Sequence, residues 1–324
     1  AGVDYFALGD SIAAGHGLTN NPAQPCRQSD LSYPYLVFGM LKTRYADVSL
    51  YHLACSGATT QEPNWNALKK INQYDKRKWL KNQVDETINI LSSPSRPKDR
   101  QAIVSITIGI DDYPWTSVVE MIKLLKINKD ATFRDKVNQI ATKSADTTRA
   151  QVNRILKLKN TSVIVTEYYN PFNTQSHFFI AKGAYQCGLI GISSCYDRTN
   201  YGIDTLNTAL KGAVVTPLAA QYPNRIAMTQ GINDAFLGRI PGSILHLHES
   251  PAPECGKSSP GVETTWIQYP SDKESYSFPG DAVPLLVRNA SGISNWRGDC
   301  VHPNKYGAMA YARYVDNTLI SMKR

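Results

Sequence analysis

Five short apolar runs, Val3 to Leu8, Val48 to Leu53, Ala102 to Ile108, Ser162 to Glu167 and Arg225 to Thr229, alternate along the chain with stretches of helical periodicity. That alternation constrains the fold more than any other feature. The helical stretches are Ser32 to Tyr45, Lys78 to Leu91, Phe133 to Leu158 and Thr205 to Ala220. In the third, Phe133, Val137, Ile140, Ala145, Val152 and Ile155 recur on one face. Strand-helix-strand units with short crossovers predict a mostly parallel five-stranded sheet between two helical layers, a three-layer α/β/α sandwich. Ligands are then expected at the carboxyl ends of the strands.

The first run ends in Gly9-Asp10-Ser11-Ile12-Ala13-Ala14-Gly15. A strand that stops at a glycine can turn sharply, and small residues opening the next helix leave the Ser11 hydroxyl at the sheet edge with its N–H turned to solvent. The same letters also suit an ordinary turn and N-cap, so a base is needed elsewhere. One is offered by Asp299-Cys300-Val301-His302-Pro303-Asn304, just before a helical run from Tyr306 to Ile320. The three-residue offset lets Asp299 accept from one ring nitrogen of His302 and leaves the other to take a proton from Ser11. A serine nucleophile, its base and an orienting carboxylate are thereby complete in the order Ser, Asp, His.

With these residues in place the chain resembles the SGNH (GDSL) hydrolase family of esterases and lipases over nearly its whole length. Four blocks follow one another: Gly9-Asp10-Ser11; Ala54-Cys55-Ser56-Gly57-Ala58-Thr59; Thr107-Ile108-Gly109-Ile110-Asp111-Asp112; and the Asp299 to His302 pair. The resemblance implies a flavodoxin-like SGNH-hydrolase sandwich forming a single domain over 1-324. It implies an oxyanion hole from the N–H groups of Ser11 and Gly57, with a third donor at position 111.

There the chain departs from the family, whose third block carries asparagine where this sequence has Asp111. An ionised carboxylate cannot donate, and losing one donor at such a site costs ~3 kcal/mol. Three readings stay open: Asp111 donates while protonated, its pKa raised by burial near Asp10 or Asp112; the enzyme is impaired or altered; or a neighbouring group supplies the donor. A second string, Gly231-Ile232-Asn233-Asp234, matches the family block by letter but follows the fifth apolar run, and is read as a turn with an N-cap.

The 42% of hydrophobic residues and the lack of any apolar run approaching the ~18 residues of a membrane span indicate a globular chain. The opening at Ala1-Gly2-Val3, close to the first strand, reads as a mature terminus. Six cysteines without Cys-x-x-Cys or cysteine-histidine spacing point to disulfides and a secreted, extracellular protein. Sequence proximity and block positions favour Cys26 with Cys55, Cys187 with Cys195 and Cys255 with Cys300, a pattern that also resembles secreted bacterial esterases of this family.

The stretch from 232 to 298, rich in Pro, Gly, Ser and aromatic residues, reads as a loop-rich insertion shaping the substrate pocket. His246-Leu247-His248-Glu249 within it lacks further ligands, so neither a catalytic metal nor any other cofactor is expected. A net charge of +8 is concentrated around Lys69-Lys70, Lys76-Arg77-Lys78 and Lys81. That cluster reads as a solvated helix face, with weak attraction to anionic surfaces as the alternative. No nucleic-acid motif is present, and the sequons at Asn160 and Asn289 matter only in a eukaryotic secretory pathway.

The expected function is a monomeric serine carboxylic-ester hydrolase acting on a small-molecule, lipid or polysaccharide ester. Lipase or phospholipase, carbohydrate acetylesterase, and a binding protein on the same scaffold are the alternatives.

Overall fold

The computed structural model describes residues 2–18, 24–114, 129–170, 192–237 and 305–324, with 124, 127, 302 and 303. Among these, five parallel strands form one sheet in the order β2-β1-β3-β4-β5: β1 Val3–Gly9, β2 Val48–His52, β3 Gln101–Thr107, β4 Thr161–Val165 and β5 Ile226–Met228. The α/β sandwich expected from the alternation is the observed architecture. Strand ends differ from the expected runs by a residue or two.

β1 is buried at every position and β4 likewise, as strands covered on both faces must be, whereas the edge strand β2 is half-buried throughout. Val3 pairs with Gln101 and Gly9 with Thr107, so β1 and β3 run side by side to a common end.

The helices are α1 Ser11–Ala14, α2 Tyr33–Arg44, α3 Trp65–Lys70, α4 Leu80–Leu91, α5 Asp130–Leu156, α6 Ile192–Ala209, α7 Thr216–Gln221, α8 Ile232–Leu237 and α9 Lys305–Ser321. A π-helical stretch, Leu210–Val215, joins α6 to α7. In α5 the buried face runs Phe133, Val137, Ala141, Ala145, Val152 and Ile155, with Ser144 and Thr148 buried beside them; Ile140 is only partly covered.

α2 packs against the last helix, α9, while α4 packs on α5 and α5 on α6 and the π-helical stretch. The chain leaves β1 toward β2 and returns past it to β3. With right-handed crossovers, these two connections lie on opposite faces of the sheet. The switch point therefore falls between the carboxyl ends of β1 and β3, where such folds open a crevice.

Two local expectations are corrected. Gly231-Ile232-Asn233-Asp234 turns into α8, though its cap comes from outside the segment: Ile232 N donates to Glu167 Oε2 (2.8 Å), and Asn233 Oδ1 accepts from Asn170 N (2.8 Å). It follows the edge strand β5, two strands from β3. The stretch expected to be loop-rich from 232 thus begins as a helix; its remainder, including His246 to Glu249 and Asn289, lies outside the described residues.

The basic cluster is not one solvated face either, because Lys78 is buried. Its neighbours Lys76, Arg77 and Lys81 pair with Glu86, Asp75 and Asp85. Among the described residues no helix is long and apolar enough to cross a membrane.

Candidate active site

The end of β1 is fixed by backbone contacts before any functional side chain enters. Gly9 has φ +134°, and a Cβ there would lie 2.0 Å from the Thr107 carbonyl oxygen, so only glycine lets β1 close on β3 at this point. Asp10 N donates to that same carbonyl (2.9 Å). The buried Gln83 of α4 clamps Gly9: its Oε1 accepts from Gly9 N (2.7 Å) and its Nε2 donates to Gly9 O (2.9 Å). Asp10 then caps α1, accepting from Ile12 N (3.0 Å), and delivers Ser11 at the switch point.

His302, immediately before α9, places Nε2 2.7 Å from Ser11 Oγ. Residues 291 positions apart in sequence thus meet within hydrogen-bond reach, as a nucleophile and its base must. The ring of His302 stacks on that of His16, centroids 4.4 Å apart and planes 19° apart. His16 Nδ1 lies 2.7 Å from Ser56 Oγ, and both residues are buried. His16 therefore ties the second block to the His302 imidazole, a link with no signature in the sequence. Asp299 lies outside the described residues, so the carboxylate member of the expected triad has no described position.

The Cys55–Gly57 loop is drawn onto the same edge. Cys55 N donates to Gly9 O and Ser56 N to Cys26 O (2.9 and 3.0 Å), and Cys26 and Cys55 form a disulfide. The pairing of these two is as expected. Cys187, Cys255 and Cys300 lie outside the described residues, as does the side chain of Cys195. Cys26 and Cys55 also lie beside Asp75, a grouping of metal-ligand residue types, but both sulfurs are engaged in the disulfide. Gly57 has φ +76°, and no backbone carbonyl among the described residues takes the N–H of Ser11 or of Gly57.

The third block follows β3 as the short turn Ile110–Asp112. Its two carboxylates differ in surroundings. Asp112 accepts from Thr60 N (2.9 Å), Thr60 Oγ1 and Ser144 Oγ, fastening the second block and α5 to the end of β3. Asp111 Oδ2 is buried without a hydrogen-bond partner among the described residues. Burial, aided by Asp112 and opposed by His302 and Lys78, pushes the Asp111 carboxyl up to about 6. Asp10 is also pushed up, by burial first and by Asp111 second. Yet Asp10 accepts from Ile12 N and the Tyr168 hydroxyl, bonds that favour its charged form. Of the two carboxyls, Asp10 has donors on both oxygens, whereas Asp111 Oδ2 has none among the described residues.

Of the residues expected from the sequence, Ser11 and His302 meet within hydrogen-bond reach, while the neighbouring Gln83, His16, Tyr168 and Lys78 were not among those expected at the site. Each of these acts through a contact between elements distant in the chain, which no local spacing encodes.

The fold and the sequence can be compared with known proteins. The fold matches a phospholipase A1 from Streptomyces albidoflavus NA297 (TM-score 0.53, 16% identity, 98% of this chain and 100% of that one). A second similar structure is the extracellular lipase of Streptomyces rimosus (TM-score 0.49, 16% identity, 98% and 99% of the chains). No curated protein matches the sequence. The family model described as GDSL-like Lipase/Acylhydrolase matches residues 5–315, from within β1 to the last turns of α9, and the chain belongs to that family.

Proposed function

We propose that the protein is a serine carboxylic-ester hydrolase working through an acyl-enzyme. The observation that carries this reading is the 2.7 Å approach of His302 Nε2 to Ser11 Oγ at the β1–β3 switch point. Ser11 attacks the ester carbonyl while His302 takes its proton; Asp299 fixes the imidazole tautomer from the other ring nitrogen. The N–H groups of Ser11 and Gly57 receive the oxyanion, joined by the Asp111 O–H while that carboxyl is protonated. His302 then passes the proton to the leaving alcohol, and water repeats the sequence on the acyl-enzyme. The Cys26–Cys55 disulfide supports work in an oxidising compartment outside the cytoplasm.

The test is hydrolysis of p-nitrophenyl esters from acetyl to palmitoyl by the wild-type protein and Ser11→Ala. A phosphatidylcholine is included because the Streptomyces albidoflavus protein is named a phospholipase A1. Turnover that vanishes in Ser11→Ala, with phosphonate labelling lost in parallel, is the expected outcome. A folded wild type that turns over none of these esters and refuses the phosphonate sinks the enzyme reading and favours a binding protein on this scaffold.

A further inference from the structure

Lys78 is only 5% exposed, at the end of the 3₁₀ turn Lys76–Lys78 before α4. Its flanking cations sit in ion pairs. Its own ammonium donates to the carbonyl oxygen of Ser56 (2.7 Å) and that of Pro25 (3.1 Å), with Gln73 Oε1 at 3.5 Å. A buried cation held by neutral oxygens is costly, and an ordinary surface lysine would serve a solvated turn as well. The placement therefore calls for a role at the groups it touches.

The peptide that carries the Ser56 carbonyl also carries the Gly57 N–H. In a planar trans unit the two point in opposite directions, so a cation on the oxygen sits behind the N–H and draws electron density away from it. That N–H has no backbone acceptor among the described residues. A Cβ added at Gly57 would lie 3.6 Å from Lys78 Nζ, which shows how closely the ammonium underlies the loop.

We propose that Lys78 is a positioning residue of the oxyanion hole: its ammonium holds and polarises the Ser56–Gly57 peptide, so that the Gly57 N–H donates more strongly to the developing oxyanion. The inference rests on Ser11 as nucleophile and Gly57 as donor. It supplies from behind the loop part of what Asp111 gives only while protonated.

The charged groups that act on Lys78 are Arg27 from the loop after α1, Asp75 from the preceding turn and Asp111 from the turn after β3. Burial and Arg27 together lower its pKa to about 8 against the pull of Asp111 and Asp75. Polarisation of the peptide is then lost in mildly alkaline solution.

The experiment pairs kinetics with a spectroscopic readout, using the whole protein and Lys78→Met, which keeps length and removes charge. In ¹⁵N-labelled wild type the Gly57 amide proton moves upfield as the pH passes about 8, and in Lys78→Met it stays put. With p-nitrophenyl acetate, Lys78→Met lowers kcat on the order of ten-fold with KM little changed, and the loss of rate near pH 8 disappears. A Gly57 resonance indifferent to pH in the wild type overturns the proposal, as does a kcat unchanged in Lys78→Met. Should that variant not fold, the wild-type titration decides alone. Failure of the nucleophile reading is seen separately, as turnover that persists in Ser11→Ala.

Discussion

In the proposed mechanism, Asp111 is the residue whose protonation sets the pH range of activity. Its folded carboxyl holds a proton up to about pH 6, where a free carboxyl would have lost it near 3.8. One pH unit above that value only about a tenth of the population can donate, and the ionised remainder repels the oxyanion. Asp111→Asn is therefore expected to raise kcat at pH 7 about ten-fold and to extend activity to higher pH, as read from pH–rate profiles of both proteins. A variant no faster at any pH would remove Asp111 from the oxyanion hole.

The same shift bears on stability. Between about pH 4 and pH 6 the folded state binds more protons than the unfolded one, so stability falls as pH rises through that window. Asp111→Asn relieves this by at most about 3 kcal/mol at neutral pH and nothing at pH 3, a difference measurable by urea denaturation at the two pH values. Ser11 and His302 were legible because their block letters are local; the proton on Asp111 was not, since it depends on which polar groups the fold leaves it without.

Among the elements, the contact between α4 and β1 fixes the strand end that carries Ser11. Gln83 projects from α4 to satisfy both backbone groups of Gly9, and its Nε2 also donates to Arg77 O (2.6 Å). Gln83→Leu keeps the bulk but leaves the buried Gly9 N–H without its partner. A loss of about 1–3 kcal/mol is expected, seen as a lower urea midpoint at unchanged slope. Because Ser11 stands two residues on, kcat should fall with it. An unchanged midpoint would mean that the strand end does not depend on the clamp.

Helix α6 begins at Ile192, well before the expected run from Thr205, whereas the strands and the helices α2, α4, α5 and α9 were readable from periodicity. Helix α8 was not, because its first N–H is met by Glu167 at the end of β4 and not by a cap residue of its own. The π-helical stretch between α6 and α7 likewise departs from a continuous helical reading.

For the molecule as a whole, the Cys26–Cys55 disulfide joins the loop after the nucleophile to the second block, 29 residues apart. A closed loop of that size contributes ~3.5 kcal/mol by restricting the unfolded chain. Cys26→Ser with Cys55→Ser is expected to lower the thermal midpoint by several degrees. It should reduce esterase activity below that midpoint, because the loop carrying Gly57 loses its tether. A double variant with full activity up to an unchanged midpoint would show the bond to be dispensable.

The sequence by itself determined the α/β alternation, the strand order of appearance and the placing of Ser11 after the first strand and His302 before the last helix. All of these are written in local letters and short-range periods. Only the tertiary structure decided that Lys78 is buried beneath the Ser56–Gly57 peptide, that His16 stacks on His302, and that Asp111 Oδ2 has no donor among the described residues. Burial and polar partnership are properties of segments brought together across the sheet, and the same letters in a solvated setting would carry none of them.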